Sequence, residues 1–96
     1  MAHYLTLFKF NGPIQGGGPE RYKTFKATVE AVGGKIVYFG GLLGPHDVMT
    51  LCDYPDLKSA MLGATRICNL INAQSQTFPV LQEADFLDLL AQTPRT

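Results

Sequence analysis

The hydrophobic positions of this 96-residue chain change their period several times along its length. Residues 3–10 are rich in aromatic and β-branched types and form two interleaved sets, which is typical of a strand. Apolar residues then recur every three or four positions, at Tyr22, Phe25, Val29 and Val32. This spacing predicts a helix that begins at Pro19 and ends before Gly33.

The remaining residues repeat these two patterns. Strands are predicted at residues 35–43, 46–53 and 77–81, a second helix at residues 57–71 and a terminal helix at residues 83–92. Gly44 and Pro45 turn the chain, and Asp56 is expected to cap the second helix. Pro79 cannot donate to a strand ladder, so we expect the fourth strand at a sheet edge.

The order of these elements predicts an α+β fold, the ferredoxin-like βαββαβ plan with a short C-terminal helix. In this plan a four-stranded antiparallel sheet has both long helices on one face, and we interpret residues 1–96 as a single domain. The terminal helix is expected to cover the edge strand or to cross to a partner subunit. Either position would bury Phe86 and Leu90.

The alternation of side chains predicts which sheet face the helices cover. Leu5 and Leu7, with Met49 and Leu51, form purely apolar sets that we expect against the helices. The uncovered face would then hold Tyr4, Thr6, Phe8, Phe10, His46, Val48, Thr50 and Cys52. A face this aromatic favours packing against a copy of itself, so we expect a homodimer or a higher oligomer.

Composition narrows the class of protein. Apolar residues make up 46% of the chain and charged residues 17%, which is typical of a globular domain with some paired apolar surface. Eight basic residues balance eight acidic ones, so the chain lacks the basic footprint of a nucleic-acid-binding protein. It also lacks a membrane-length apolar run and a secretion signal, which predicts no membrane association and a cytoplasmic location.

Several short motifs resemble the GYD domain family. They are Tyr4-Leu5-Thr6-Leu7, Gly33-Gly34-Lys35, the run Gly44-Pro45-His46-Asp47-Val48-Met49-Thr50-Leu51 and the following Pro55-Asp56. The similarity continues through Ala64 and Asn69 to Thr77-Phe78-Pro79-Val80-Leu81 and the acidic residues before Phe86, and so spans about the whole chain. His46 stands where the family motif has Tyr, while Gly44 and Asp47 are kept.

The resemblance implies a dimeric ferredoxin-like protein that often assembles further and has no settled activity. Proteins of this architecture include cofactor-free oxygenases, isomerases and cyclases of aromatic and pigment biosynthesis. That link is an analogy of fold, and a fold does not determine a function.

His46 is the candidate acid or base, because an imidazole titrates near neutral pH. Four residues are predicted to contact a substrate by hydrogen bonds: Tyr4, Thr6, Tyr38 and Thr50. Gly44 and Asp47 are interpreted as turn residues, with the Asp47 carboxylate accepting backbone N–H bonds. Against this stands the simpler interpretation that His46 only bonds to solvent or to a partner chain.

Other chemistry is disfavoured. With the first and third strands taken as parallel neighbours, His3 and His46 would lie near one end of the sheet. Strand alternation places their side chains on opposite faces, however, so the two residues are not expected to bind the same metal ion. We therefore predict no metal site. Cys52 and Cys68 form no metal or redox motif. The glycines at 16–18 lack the residues of a phosphate-binding loop and are interpreted as a flap over a ligand. No cofactor is predicted.

Three functions remain open. The first is an oligomeric domain that binds a small apolar or aromatic metabolite in a groove on or beside the sheet. The second is a cofactor-free biosynthetic enzyme of the isomerase, cyclase or condensation type that uses His46. The third is a purely structural oligomer.

Overall fold

The computed structural model describes residues 1–13 and 18–94. Its elements are β1 (Ala2–Phe10), α1 (Gly18–Ala31), β2 (Lys35–Gly41), β3 (Val48–Tyr54), α2 (Leu57–Ile71), β4 (Ala73–Val80) and α3 (Glu83–Gln92). The strands form one sheet in the order β2-β3-β1-β4, and every neighbouring pair is antiparallel. The predicted ferredoxin-like βαββαβ plan with a terminal helix is confirmed, and so is the edge position of β4.

The fourth strand begins at Ala73, earlier than the predicted start at Thr77. Asn72 causes this difference, because it ends α2 in the left-handed conformation with φ of 52°. Its backbone N–H donates to the carbonyl of Cys68, which satisfies one of the last free acceptors of the helix. The chain therefore turns directly from α2 into the strand.

The prediction of which sheet face the helices cover is wrong. Tyr4, Thr6 and Phe8 of β1 are buried beneath α1 and α2, as are Thr50 and Cys52 of β3. The aromatic rings are large enough to fill the space between the sheet and the two helices. The leucines expected in that space lie on the other side, because neighbouring strand residues point to opposite faces.

Small residues of α2 make room for the aromatic ring of Tyr54 on β3. Ala60, Gly63 and Ala64 are buried on the helix, and the ring of Tyr54 lies against Gly63. A Cβ atom at Gly63 would lie 2.8 Å from Tyr54 Oη, and one at Gly34 would lie 2.5 Å from Tyr54 Cε1. The two glycines thus allow Tyr54 to pack between them.

Within residues 1–13 and 18–94, no helix covers the opposite side of the sheet, which is here named the open face. Its central side chains are apolar and half-buried to exposed: Leu5, Leu7, Tyr38, Met49, Leu51 and Phe78. Tyr38 and Phe78 are 55% and 45% exposed. The ring of Tyr38 lies over Gly40, where a Cβ atom would come within 2.8 Å of it. The chain therefore does leave an apolar face uncovered, but one built from other residues than those predicted.

The terminal helix α3 stands apart from the sheet and the other helices. It contacts no other element in residues 1–13 and 18–94, and none of its residues is buried. Phe86 and Leu90 are about half exposed, so the expected burial of these two residues does not occur within one chain. None of the helices in the described ranges is long and apolar enough to cross a membrane.

Candidate functional site

A pocket of about 240 Å³ opens at one end of the layer between the sheet and the helices, and is here named the aromatic pocket. Its walls come from α1, from β2, from the adjoining ends of β1 and β3, and from the end of α2. The residues that line it are Phe10, Gly18, Arg21, Tyr22, Phe25, Phe39, Val48 and Ile71. Nearly all of this lining is apolar, which is the usual character of a small-molecule site.

A series of edge-to-face ring contacts builds the wall of the pocket. Phe25 of α1 packs against Phe8 and Phe39, with ring centroids 5.9 and 5.2 Å apart, and Tyr22 contacts Phe39 at 5.1 Å. Such contacts hold aromatic side chains in defined orientations. Tyr22, Phe25 and Phe39 therefore form one continuous surface in the pocket wall, and the buried ring of Phe8 packs against Phe25 from the core.

Arg21 is the charged residue among those that line the aromatic pocket, and it lies in the first turn of α1. A guanidinium beside an apolar wall suits a ligand with an aromatic body and a carboxylate or phenolate group. Gly18, the first residue of α1, also lines the pocket. Residues 14–17 lie outside the described ranges, and with them most of the predicted flap.

His46 lies elsewhere, in the connection before β3. It lines a second, more polar pocket of about 250 Å³ with Leu7, Lys9, Gln74, Ser75 and Gln76. Its Nε2 atom is 3.1 Å from the amide oxygen of Gln76. Leu7 and Lys9 belong to the open-face set of β1, so this pocket lies on the opposite side of the sheet from the aromatic pocket.

The structure brings Tyr4, Thr6 and Thr50 together on one side of the sheet but places Tyr38 on the other, so the four predicted substrate contacts do not share one site. Tyr4, Thr6 and Thr50 belong to the core beneath the helices, where the hydroxyl of Thr6 is 3.0 Å from the hydroxyl of Thr77. Tyr38 is exposed on the open face. The assignment of the first three to an uncovered face is wrong, whereas acid or base chemistry at His46 stays a prediction.

Asp47 connects β1 to the segment between β2 and β3. Its carboxylate Oδ2 accepts the backbone N–H of Phe10 at 2.8 Å, and its own N–H donates to the carbonyl of Phe8 at 2.8 Å. Its carbonyl accepts the N–H of Leu42 at 2.9 Å. Gly44, three residues earlier, has φ of 134°, a conformation that glycine adopts readily.

His3 and His46 lie towards opposite ends of β1, because β1 and β3 run antiparallel rather than parallel. The Nδ1–H of His3 donates to Asp53 across the strand pair, and the amide nitrogen of Gln82 donates to His3 Nε2 at 2.9 Å. In the described part of the chain, no group of three or more His, Cys, Asp or Glu side chains is arranged to hold a metal ion. The sequence carries no signal for the His3–Asp53 pair, since only the strand register joins residues so far apart.

Both cysteines are free. Burial raises the pKa of the Cys52 thiol, although hydrogen bonds with Thr50 and Tyr54 act in the opposite direction. Burial also raises the pKa of the Tyr54 hydroxyl. Both groups therefore stay protonated at neutral pH, and Cys52 is not an activated nucleophile.

Comparisons with known proteins agree with this architecture. The fold is similar to the crystal structure of the leucine response regulatory protein of Mycobacterium tuberculosis, with a TM-score of 0.61 and 12% sequence identity. The match covers 84% of this chain and 51% of that chain, so this chain spans about half the length of the regulator. No curated protein matches the sequence. A profile of the GYD domain matches residues 13–90, and the chain therefore belongs to the GYD domain family, as its motifs predict.

Proposed function

We propose that this GYD domain is a self-associating module that binds a small aromatic or apolar molecule, carrying one acidic group, in the aromatic pocket. The observation that supports this most directly is the pocket itself. Its ring-lined wall would bury an apolar body, while Arg21 would pair with a carboxylate. Its volume of about 240 Å³ matches one or two fused rings rather than a dinucleotide.

Calorimetric titration with 2-naphthoate and the neutral 2-naphthamide tests this proposal. Both probes have the same ring system, so they separate the contribution of the apolar wall from that of the charge. We expect the carboxylate to bind more tightly. Arg21→Gln should weaken 2-naphthoate binding by roughly tenfold and leave 2-naphthamide nearly unaffected.

Two further variants serve as controls for the titration. Val48→Phe fills the aromatic pocket and should abolish the binding of both probes. Arg66→Gln makes the same charge change on an exposed part of α2 that does not line the pocket and should change neither affinity. Unchanged binding to Val48→Phe would contradict the proposal, and self-association without binding of either probe would favour the purely structural oligomer.

The second part of the proposal concerns the open face, which we propose is covered by a second copy of the chain. A contiguous apolar patch of this kind is rare on a monomer. Light scattering on Phe78→Asp tests it, with Met61→Asp as the matched control, because both side chains are exposed and lie on opposite sides of the molecule. We expect only Phe78→Asp to give a monomer, whereas a monomeric native protein at micromolar concentration would contradict this part.

A cofactor-free enzyme that uses His46 is the second candidate, favoured by the pocket that His46 lines. Side-chain NMR of the two histidines during the naphthoate titration separates the candidates. A ligand in the aromatic pocket should leave the His46 resonances unchanged, while a ligand beside His46 would shift them. The free cysteines support a cytoplasmic location for either candidate.

A further inference from the structure

A second cavity, of about 230 Å³, adjoins the aromatic pocket and is here named the polar cavity. The two spaces share three lining residues, Phe10, Arg21 and Ile71. The polar cavity is completed by Gly12, Pro13, Leu70 and Asn72. The three shared residues therefore form the boundary between two spaces of nearly equal volume.

The two spaces differ in chemical character. The wall of the aromatic pocket consists mostly of aromatic rings, whereas polar atoms predominate in the lining of the polar cavity. An apolar group gains from burial in the first space, while a group placed in the second must form hydrogen bonds to avoid a desolvation penalty. A ligand that fills both spaces therefore has an apolar end and a hydrogen-bonding end.

Hydrogen bonds hold the wall of the polar cavity where β1 and α2 end. The backbone N–H of Asn11 donates to the carbonyl of Asn72 at 3.0 Å, and the Asn11 side-chain amide donates to Asn72 Oδ1 at 3.2 Å. The second bond orients the Asn72 side chain and leaves its NH₂ group as the donor. Because Asn72 lines the polar cavity, this group can donate to a carbonyl oxygen of a ligand there.

Arg21 determines where the acidic group of such a ligand lies. Its side chain belongs to the boundary, since it lines both the aromatic pocket and the polar cavity. A guanidinium has five N–H donors in one plane and binds a carboxylate by two parallel hydrogen bonds. A carboxylate held by Arg21 would therefore lie between the two spaces, with the rest of the ligand extending to either side.

We propose that the ligand of this site is a branched aromatic acid that occupies both spaces. Its ring lies in the aromatic pocket, its carboxylate pairs with Arg21, and an arm with a carbonyl group enters the polar cavity and accepts from Asn72. This inference rests on the binding proposed above and adds the class of ligand. An N-acylated aromatic amino acid has this shape, because one carbon atom bears the ring-carrying side chain, the acid and the acylated nitrogen.

Calorimetric titration of the native protein with three probes tests the proposal. They are 3-(2-naphthyl)propanoate, N-acetyl-2-naphthyl-L-alanine and its D enantiomer, which carry the same ring at the same distance from the carboxylate. Only the two amino acids have an acetamide arm. We expect one enantiomer to bind roughly tenfold more tightly than the propanoate and the other no more tightly, because only one hand directs the arm into the polar cavity.

The three titrations separate this proposal from the proposed function. Binding of the propanoate with equal affinity for the two enantiomers, or without a gain for either, would overturn the polar arm while the aromatic pocket stands. If none of the three probes binds, the proposed function itself is wrong.

Gly12 offers a way to fill the polar cavity alone, because it does not line the aromatic pocket. Apart from its chain neighbours, no described residue has a heavy atom within 4 Å of the position of a Cβ atom at Gly12. We expect Gly12→Leu to bring the favoured enantiomer within about twofold of the propanoate, whose own affinity stays unchanged. An undiminished preference for that enantiomer would overturn the proposal.

Gly41→Leu is the matched control for this variant. Gly41 lines neither space, and a Cβ atom there would lie 3.9 Å from the carbonyl oxygen of Asp47, which is an ordinary contact. This variant should keep the full preference for one enantiomer. Loss of the preference in both glycine variants would show that the polar cavity is not its source and would overturn the proposal.

A second pair of variants tests the Asn72 amide. Asn72→Gly removes it and keeps the left-handed turn, which glycine adopts readily. Asn11→Ala removes the hydrogen bond between the two side chains but leaves the amide of Asn72 in place. We expect only Asn72→Gly to reduce the preference for the favoured enantiomer, by roughly fivefold. Equal reductions in the two variants would overturn a direct contact between Asn72 and the arm.

Discussion

The side chain of Asp47 joins two segments that the sequence places far apart. Removal of its carboxylate leaves the Phe10 N–H without this acceptor at the end of β1. We expect Asp47→Ala to lower the free energy of unfolding by about 1–3 kcal/mol, the usual cost of losing a hydrogen bond to a charged group. Chemical denaturation measures this loss in the free energy of unfolding.

Asp47→Asn provides the control for that measurement, because the amide oxygen still accepts the Phe10 N–H. It should therefore retain most of the stability. Equal losses for the alanine and asparagine variants would show that the charge, rather than the acceptor, is what Asp47 contributes.

The cap of α2 predicts a pH dependence at a single residue. The Ser59 backbone N–H donates to Asp56 at 2.7 Å and holds the pKa of that carboxyl below its usual range. Because the folded pKa lies below the unfolded one, the charged cap stabilises the fold above the unfolded pKa. This contribution is lost as the pH falls through the folded pKa.

We therefore expect Asp56→Ala to melt at a lower temperature than the native protein at neutral pH. The difference should narrow as the pH falls below about 4. Asp56→Asn keeps an acceptor without the charge and should melt close to the native protein at neutral pH. A difference between the alanine variant and the native protein that stays constant down to pH 2 would contradict this account.

At the scale of elements, local chemistry was enough to predict most of the fold. Pro19 near the start of α1, Asp56 before α2 and Pro79 in an edge strand each act through neighbouring backbone groups, so a single sequence reveals them. The left-handed Asn72 is an exception, because only some asparagines adopt this conformation and the sequence does not distinguish them.

The choice of the covered sheet face could not be predicted in the same way. Both side-chain sets of β1 contain large apolar residues, so alternation separates the sets without showing which one meets the helices. The informative signal lay in α2, where Ala60, Gly63 and Ala64 form a shallow surface that fits large rings such as Tyr54. The aromatic pocket could not be predicted from the sequence either, because its walls come from several elements that only the fold brings together.

Because Gly63 contacts Tyr54, we expect replacement of this glycine by alanine to have the opposite effect on stability from the one that helix propensity predicts. In an exposed helix, glycine to alanine stabilises by about 1 kcal/mol. Here the new Cβ would lie 2.8 Å from Tyr54 Oη, so we expect Gly63→Ala to destabilise the fold by roughly 1–2 kcal/mol through overpacking.

Thermal and chemical denaturation of the corresponding double-mutant cycle checks this effect. Tyr54→Phe removes the hydroxyl that the new methyl group would meet, so Gly63→Ala should cost less in that background. Additive effects of the two substitutions would show that the contact is not the cause.

At the scale of the whole molecule, association and stability should depend on each other. If the dimer is the folded form, mass action makes the unfolding temperature rise with protein concentration. We expect this rise for the native protein and for Met61→Asp, but not for Phe78→Asp. Differential scanning calorimetry over a hundredfold range of concentration measures it, and a Tm independent of concentration in the native protein would contradict the expectation.

The two edge strands, β2 and β4, also affect how copies of this chain can associate. The register of β2 against β3 shifts between Ile36 and Tyr38, and β4 contains Pro79, which has no N–H to offer. Irregular pairing at the β2 edge and a missing N–H donor at the β4 edge make both edges of the sheet poor templates for an additional strand. Sheet extension into fibres is therefore disfavoured, and concentrated solutions should stay clear rather than gel.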